Sequence, residues 1–597
     1  MSIVVRTAHC ATLIAALAMA GCGGQPSPPK TSPPPAAVDA KADPRPALPA
    51  GVDPDVSAAI EQVLSSAQHP SLRWGRIPDV APVLNSIYAK ESDGLFWFDH
   101  AAPVAALKPT LAVLAAATEH GLDPADYDAD ALAQQFAALD PKASDGADRA
   151  LFDLGVSTAV ARILHAVHKG RVDPATMYWG YDSSVKHLDI AALMVAVRDQ
   201  DGLAAVLDKV SPQVKHYARA RRVLAVYRAR ALKGEPDPVP PLPKDQPKVQ
   251  PGESWEGIPA LAVRLRVLGD LAADAVVDGP EYTPAMVEAV KSTQRRHGLL
   301  SDGVIGAGTL RAVNVPLARR VRQIELAMER MRWLPPLDDK PNVFVNIALF
   351  RLWATDPTTE DEPLRMRVVV GESLDHQTPL FVERMEYVIF RPYWNPPRNI
   401  IVNELVPKAR RDPKFLDKEG MEIVASGDES ATALPATPEN LAKVVAGRLR
   451  LRQKPGPHNS LGLAKFIFPN DEDVYMHGTP SQQLFSRARR DFSHGCIRLE
   501  DPAKFAEWVL RDQPEWTRER IDAAMQGDKP TRVNLKQPLT VVLFYDTVHV
   551  NSEGVLFFMD DIYGHDRALD AALLRGYPFP AKGAATTKPT AAEPAGP

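Results

Sequence analysis

A multidomain α+β architecture is predicted for this chain of 597 residues. Three observations predict it: an Ala-rich stretch with helical periodicity in the first half, two proline-rich breaks, and short β-branched and aromatic runs confined to the second half. The length exceeds what one hydrophobic core supports, at about 150 residues per domain. The 56 prolines are bunched, and bunched prolines mark extended linkers. An apolar fraction of 45% with 24% charged residues excludes a disordered chain and a multi-span membrane protein, and the formal charge of −5 carries no nucleic-acid signature.

Residues 1–22 read as a lipoprotein signal peptide. Arg6 precedes an apolar run, Ala11 to Ala20, long enough for a signal-peptide core and too short to cross a bilayer. The run Leu17-Ala18-Met19-Ala20-Gly21-Cys22 resembles a bacterial lipobox, which predicts that Cys22 is lipidated and anchors the mature chain to a membrane. Gly23, standing where Asp would signal inner-membrane retention, leans towards the outer membrane. Residues 23–56 are rich in Pro, Ala, Lys and Asp and read as a disordered tether. At about 3.1 Å per extended residue, roughly thirty residues reach about 100 Å.

Residues 57–234 are predicted to form a helical scaffold, from apolar stretches such as Leu111-Ala112-Val113-Leu114 separated by turns such as Gly121-Leu122-Asp123-Pro124. His165 and His168 could share a helical face, but no third ligand stands at a diagnostic spacing, so no metal site is expected. A Pro-rich linker spans 235–251. Residues 252–318 then form a compact unit of three predicted helices, the second opened by Thr283 as N-cap and Pro284 at the first helical position. Residues 319–341 read as an amphipathic connecting helix.

From residue 342 to 548 the pattern changes. Val343 to Ile347, Met366 to Val370, Tyr387 to Phe390 and Leu539 to Tyr545 are runs expected of buried strands. Between about 398 and 470 the strand signal fades, which predicts an insertion placed to cap a site. Residues 549–597 form a C-terminal extension whose end, after Arg575, returns to Pro, Ala and Thr and is expected to be disordered.

Of three cysteines, Cys10, Cys22 and Cys496, only Cys496 remains free once the signal is removed and Cys22 lipidated. A thiol with an ordinary pKa of about 8.5 is mostly unionised at neutral pH and needs a base to attack a carbonyl. His477, at the end of the predicted strand Val474-Tyr475-Met476, can be folded against Cys496. His494, two positions before it on a loop, is a supporting group. Gly495 allows close backbone approach with N–H groups aimed at an oxyanion. Gly478 permits a turn whose carbonyl could hold the second nitrogen of His477, a task that falls to Asp or Asn in other triads. Arg498 and Ser493, beside the cysteine, are candidates for substrate binding, while Arg487, Arg489 and Arg490 read as a solvated positive face. Tyr393 and Trp394 could wall the donor groove or, in their strand-turn-Pro context, belong to the core.

The motifs His477-Gly478-Thr479-Pro480 and Ser493-His494-Gly495-Cys496-Ile497-Arg498-Leu499 resemble the signature of the YkuD-type L,D-transpeptidase catalytic domain. The similarity runs from about Asn342 to Tyr545 and includes Pro392 to Pro397, Lys454-Pro455-Gly456-Pro457 and Leu461-Gly462. The unit at 252–318, with Gln294 to Leu299 followed by Asp302-Gly303-Val304-Ile305-Gly306, resembles the three-helix peptidoglycan-binding domain. It departs from that family at Thr293, where an aromatic residue is usual. Together these imply the large multidomain branch of the transpeptidase family.

The resemblance implies that Cys496 carries the acyl group, His477 activates it, the Gly478 carbonyl orients His477, and the backbone around His494, Gly495 and Cys496 lines the oxyanion hole. The implied substrate is the peptidoglycan stem. Cys496 attacks the bond before the terminal D-Ala of a tetrapeptide, and an amine of a second stem resolves the thioester to a 3-3 cross-link. No cofactor is called for, because nucleophile, base and oxyanion donors are protein groups. Hydrolysis of the same thioester, by a carboxypeptidase or a wall-protein-releasing enzyme, uses identical residues. A non-catalytic wall-tethering lipoprotein is the third reading. No partner synthase or carboxypeptidase is indicated by the sequence.

Overall fold

The computed structural model describes residues 52–577, apart from 92–93, 100–101, 140–144, 178, 338–339, 360–361, 375 and 429. The signal peptide with Cys22, most of the tether and the C-terminal tail lie outside the described residues.

The N-terminal part is a helical bundle. Its first helix, Pro54–Ser66, starts inside the segment read as tether, because the Asp53 side chain accepts from Asp55 N and a proline occupies the first turn. At its centre, Gly146–Lys169 is long and apolar enough to cross a membrane, yet it is almost wholly buried among the other helices. A helix apolar on every side belongs in a core. Its one deeply buried carboxylate, Asp153, accepts from Phe96 N and Trp97 N at 3.0 and 2.7 Å, which satisfies it where water cannot.

The second unit packs helices Ile258–Leu268, Pro284–Arg296 and Ala307–Val313 around Leu261, Leu265, Met286 and Val290. Thr283 occupies the N-cap position but makes no capping bond with its side chain. Thr293 is buried and donates to Asp270 at 2.6 Å, with Ser292 and Arg296 also on that carboxylate. A polar cluster thus replaces aromatic packing there. The Pro-rich segment before this unit is strapped down rather than loose. Val239 exchanges two hydrogen bonds of 2.8 Å with Asn314, Val249 pairs with Ile305, and Glu235 meets Arg264 at 2.5 Å.

The helix Leu317–Trp333 was expected to be amphipathic, but charged residues on it are buried. Glu329 accepts from Val172 N at 3.0 Å and pairs with Arg332 at 2.9 Å, while Arg330 meets Asp566 at 2.6 Å. The helix meets the scaffold through Glu329 and the C-terminal extension through the Arg330–Asp566 pair, while Leu326 and Trp333 pack into the sheet core, which accounts for its mixed sequence.

The C-terminal domain is built on a nine-stranded sheet. Its strands are β1 (Asn342–Asn346), β2 (Arg351–Thr355), β3 (Leu364–Gly371), β4 (Phe381–Phe390), β7 (Ala464–Ile467), β8 (Met476–His477), β9 (Asp491–Ser493), β10 (Ile497–Leu499) and β11 (Thr531–Phe544). A separate hairpin, β5 (Met421–Val424) with β6 (Arg450–Gln453), lies in the insertion. The sheet order is β9-β3-β10-β8-β7-β4-β11-β1-β2, and β2 pairs back onto β3, so the sheet closes on itself. Phe466, Met476, Ile497 and Leu499 point to the core, where Phe505 of helix Pro502–Val509 meets Phe466 edge-on at 4.7 Å. Burial of each such side chain stabilises by about 1.5–3 kcal/mol.

The insertion is shorter than predicted. Residues 464–467, read as part of it, form β7, an interior strand between β4 and β8. Four residues, one of them Lys465, give too short an alternation to stand out. The insertion proper has its own core of Ile400, Leu405, Val406, Leu416, Ile423, Leu441 and Leu451. Within it, Ile401–Leu405 is a π turn ahead of helix Val406–Arg411. The wider turn accommodates Pro407, which supplies no N–H and whose ring would clash in a regular helix.

After β11 the described residues of the extension run to Tyr577. A hairpin, β12 (Val548–Val550) with β13 (Leu556–Phe558), leads to helix His565–Leu573, which packs against Leu317–Trp333.

Candidate active site

Sheet register brings the candidate residues together. On β8, Met476 pairs with Ile497 and His477 with Arg498; on the other side His477 pairs with Lys465 of β7. Side chains alternate along strands. Because Phe466, Met476 and Ile497 point into the core, Lys465, His477 and Arg498 form a row on the opposite face. Tyr475 and Cys496, one pleat along, share that face, and Ile497 N donates to Tyr475 O at 3.1 Å.

His477 is buried, with Nδ1 2.5 Å from the Gly478 carbonyl. Since a carbonyl only accepts, the ring proton lies on Nδ1 and Nε2 keeps its lone pair. Burial, with repulsion from Arg498, pushes the ring's pKa down to about 3, against the pull of the Gly478 and Leu461 carbonyls. The imidazole is therefore neutral. Gly462, at φ +63°, allows this fit: a Cβ there would lie 2.5 Å from Thr479 N and 2.7 Å from Gly478 C.

Cys496 is half-buried, and its thiol faces the Asp473 carbonyl at 3.9 Å. Burial raises its pKa, opposed by hydrogen bonding from Tyr475 and by the charges of Lys465 and Arg498. Asp473 adopts a left-handed conformation, φ 54°, rare for a residue with a Cβ. Asn470 braces this turn by accepting from Val474 N at 3.1 Å and donating to Val474 O at 2.7 Å. No hydrogen bond joins His477 to Cys496 in this resting geometry. They sit diagonally across β8 and β10 as a neutral thiol beside a neutral imidazole.

The loop before Cys496 is tied from within. Ser493 Oγ donates to Cys496 O at 2.6 Å and accepts from Gly495 N at 3.3 Å. Ser493 is buried, so it shapes the loop instead of facing a ligand as predicted. Gly495 has φ +115°, a conformation strained for any other residue, and its carbonyl accepts from Thr378 Oγ1 at 2.8 Å. Its N–H is engaged by Ser493 at 3.3 Å.

His494 turns away from the thiol. Its Nε2 lies 2.8 Å from Glu404 Oε1 in the π turn of the insertion, and its ring meets His376 edge-on at 4.6 Å. Tyr393 and Trp394 contact the insertion. Arg452 stacks over the Tyr393 ring at 4.3 Å, and the Trp394 backbone exchanges two hydrogen bonds with Gln453. Arg490 is no solvated residue: it is buried on the carbonyls of Val368 and Phe350. Arg489 pairs with Asp491 at 2.7 Å. Far from this face, His168 Nδ1 bonds the Val210 carbonyl at 3.0 Å.

Sequence reading missed Lys465, Tyr475, Asp473, Thr378 and Glu404. Only the Tyr475 to His477 alternation signalled any of them, since Tyr475 shares the parity of His477.

Residues 340–534 match the family model described as the L,D-transpeptidase catalytic domain, YkuD. This segment is an L,D-transpeptidase catalytic domain. Residues 256–313 match the model described as "Putative peptidoglycan binding domain", and 82–224 match the Scaffold domain. A Haemophilus influenzae protein described as "Putative L,D-transpeptidase" is 29% identical over 252 residues. That match covers 42% of this chain and 49% of the relative, about half its length. The solved structure of an L,D-transpeptidase from Xylanimonas cellulosilytica matches at 17% identity over 51% of this chain and 100% of that one, with a TM-score of 0.16.

Proposed function

We propose that this protein is an L,D-transpeptidase that forms 3-3 peptidoglycan cross-links. Cys496 attacks the carbonyl before the terminal D-Ala of a tetrapeptide stem while His477 Nε2 takes the thiol proton. The Cys496 N–H stabilises the oxyanion, and His477 returns the proton to the leaving D-Ala amine. An amine of a second stem then resolves the thioester. The observation that carries this reading is the neutral, Nδ1-protonated His477 on the same sheet face as the thiol. A base must be unprotonated to act, and this one is held so by burial and the Gly478 carbonyl.

The Glu404–His494 contact favours transfer over hydrolysis, because it fixes the cap beside Cys496. Water is thereby hindered from reaching the thioester. The peptidoglycan-binding unit would hold the enzyme on its substrate, in the cell envelope, with Cys22 as the lipid anchor. Incubation of the chain with disaccharide-tetrapeptide, followed by mass spectrometry, tests the reading. A dimer lacking one D-Ala supports it. Tripeptide alone identifies a hydrolase, and no turnover with retained sacculus binding leaves a tethering protein.

A further inference from the structure

Lys465 is one of two cations on the catalytic face that the mechanism above does not use. It stands opposite His477 in the register, two strands from Cys496, and its ammonium rests 4.0 Å over the Tyr475 ring, on the side of the thiol. Arg498 flanks His477 from the other strand. Neither makes a salt bridge among the described residues, and Arg498 Nε is buried with no hydrogen-bond partner. The acids whose charges reach them are Asp473, for Lys465, and Glu372, for Arg498; neither lies within ion-pair distance. Two partly buried cations beside a nucleophile, with no anion of their own, form a site poised for one.

The anion that attack at Cys496 would bring there is the free carboxylate of the departing residue. That group is three bonds from the scissile carbonyl carbon, within reach of a long lysine side chain on the same sheet face. We propose that Lys465, assisted by Arg498, binds the C-terminal carboxylate of the donor peptide and confines cleavage to its last peptide bond. The inference rests on the acyl-transfer reading of Cys496. In the step it governs, the Sγ–C bond forms, the C–N bond breaks, the thiol proton passes through His477 to the amine, and the carboxylate leaves unchanged with its amino acid. A peptide amidated at its C-terminus, or extended beyond it, lacks the anion and is disfavoured.

The test separates this site from the reaction. In the full chain, Cys496 is alkylated with iodoacetate and with iodoacetamide, which differ by a carboxylate. Wild type is expected to favour iodoacetate relative to free cysteine under the same conditions. Lys465→Gln should lower the iodoacetate-to-iodoacetamide ratio about tenfold, and Lys465→Arg should restore it. An unchanged ratio in a folded Lys465→Gln, or equal loss with both reagents, would overturn the proposal. With tetrapeptide donors, Lys465→Gln should raise KM for the free acid while leaving the C-terminal amide unaffected. If the ratio shifts but no donor turns over, the carboxylate site stands and the transpeptidase reading fails. If turnover persists with an unaltered preference for acid over amide, the reading stands and the role of Lys465 fails.

Discussion

Glu404 Oε1 lies 2.8 Å from His494 Nε2, two residues before the nucleophile, and joins the inserted cap to the catalytic loop. Both side chains are about one-third exposed, at 32% and 39%. Pairs so exposed contribute about 1 kcal/mol or less to stability. Glu404→Gln is therefore expected to leave the melting temperature nearly unchanged while loosening the cap. Alkylation of Cys496 by a bulky maleimide should accelerate severalfold. Equal rates in variant and wild type would show that the pair does not govern access.

A second support comes from the C-terminal extension. Tyr563 Oη donates to Gly371 O at 2.6 Å and accepts from Thr378 N at 3.2 Å, while Thr378 Oγ1 holds the Gly495 carbonyl. Tyr563→Phe leaves two buried backbone groups unsatisfied, at a cost of about 1–3 kcal/mol. It should lower the denaturation midpoint and slow acylation of Cys496 several-fold. A loss of stability with an unchanged acylation rate would restrict Tyr563 to a structural role.

Within the connecting helix, Arg332 is fully buried and pairs with Glu329. Arg332→Met removes the cation from a buried carboxylate that then keeps only its backbone donors at Arg171 and Val172, and breaking a buried pair costs about 3–5 kcal/mol. Chemical denaturation should show this loss, and a change under 1 kcal/mol would contradict the packing described.

The protonation of the Cys496–His477 pair sets its pH behaviour. Burial lowers the imidazole pKa to about 3 and raises that of the thiol, so the resting pair is neutral between them. Alkylation by iodoacetamide should climb steadily from pH 5 to 9 as thiolate appears. A plateau between pH 5 and 7 would reveal a thiolate–imidazolium pair instead.

Stability should decline on acidification. His120, His297, His477 and His565 are buried, with pKa values pushed down to about 3, below the unfolded value of about 6.5. The unfolded chain therefore binds more protons as pH falls from 6.5 to 4, and the stability from these groups is lost. Asp153 and Asp546, raised by burial to about 7, act in the opposite sense. They are protonated only in the fold over that window, so the stability they contribute is present at low pH and lost as pH rises. Four groups outweigh two, at about 1.4 kcal/mol per pH unit for each net proton. The melting temperature should fall between pH 6.5 and 4.5; a constant or rising value would contradict the balance.

The catalytic row was legible only where one residue type announces its chemistry. Cys496 and His477 stood out because a thiol and an imidazole in glycine-containing runs have few structural uses. Lys465 did not, because a lysine in a four-residue strand carries no visible alternation, and its placement beside His477 arises from pairing between β7 and β8. His494 and Ser493 looked catalytic by proximity in sequence, whereas loop geometry turns one to the cap and the other inward. The burial of Arg330 and Arg332 was equally hidden, since their partners include Asp566 and Tyr217, more than a hundred residues away in the chain.

The central claim is that Cys496 forms a thioester with a stem peptide. Its most direct measurement is the intact mass of the full chain, sampled within seconds of mixing with disaccharide-tetrapeptide. A transient adduct equal to the donor minus D-Ala, present in wild type and missing from Cys496→Ala, is the predicted result. Turnover by Cys496→Ala, or product formation in wild type with no adduct at Cys496, would contradict it.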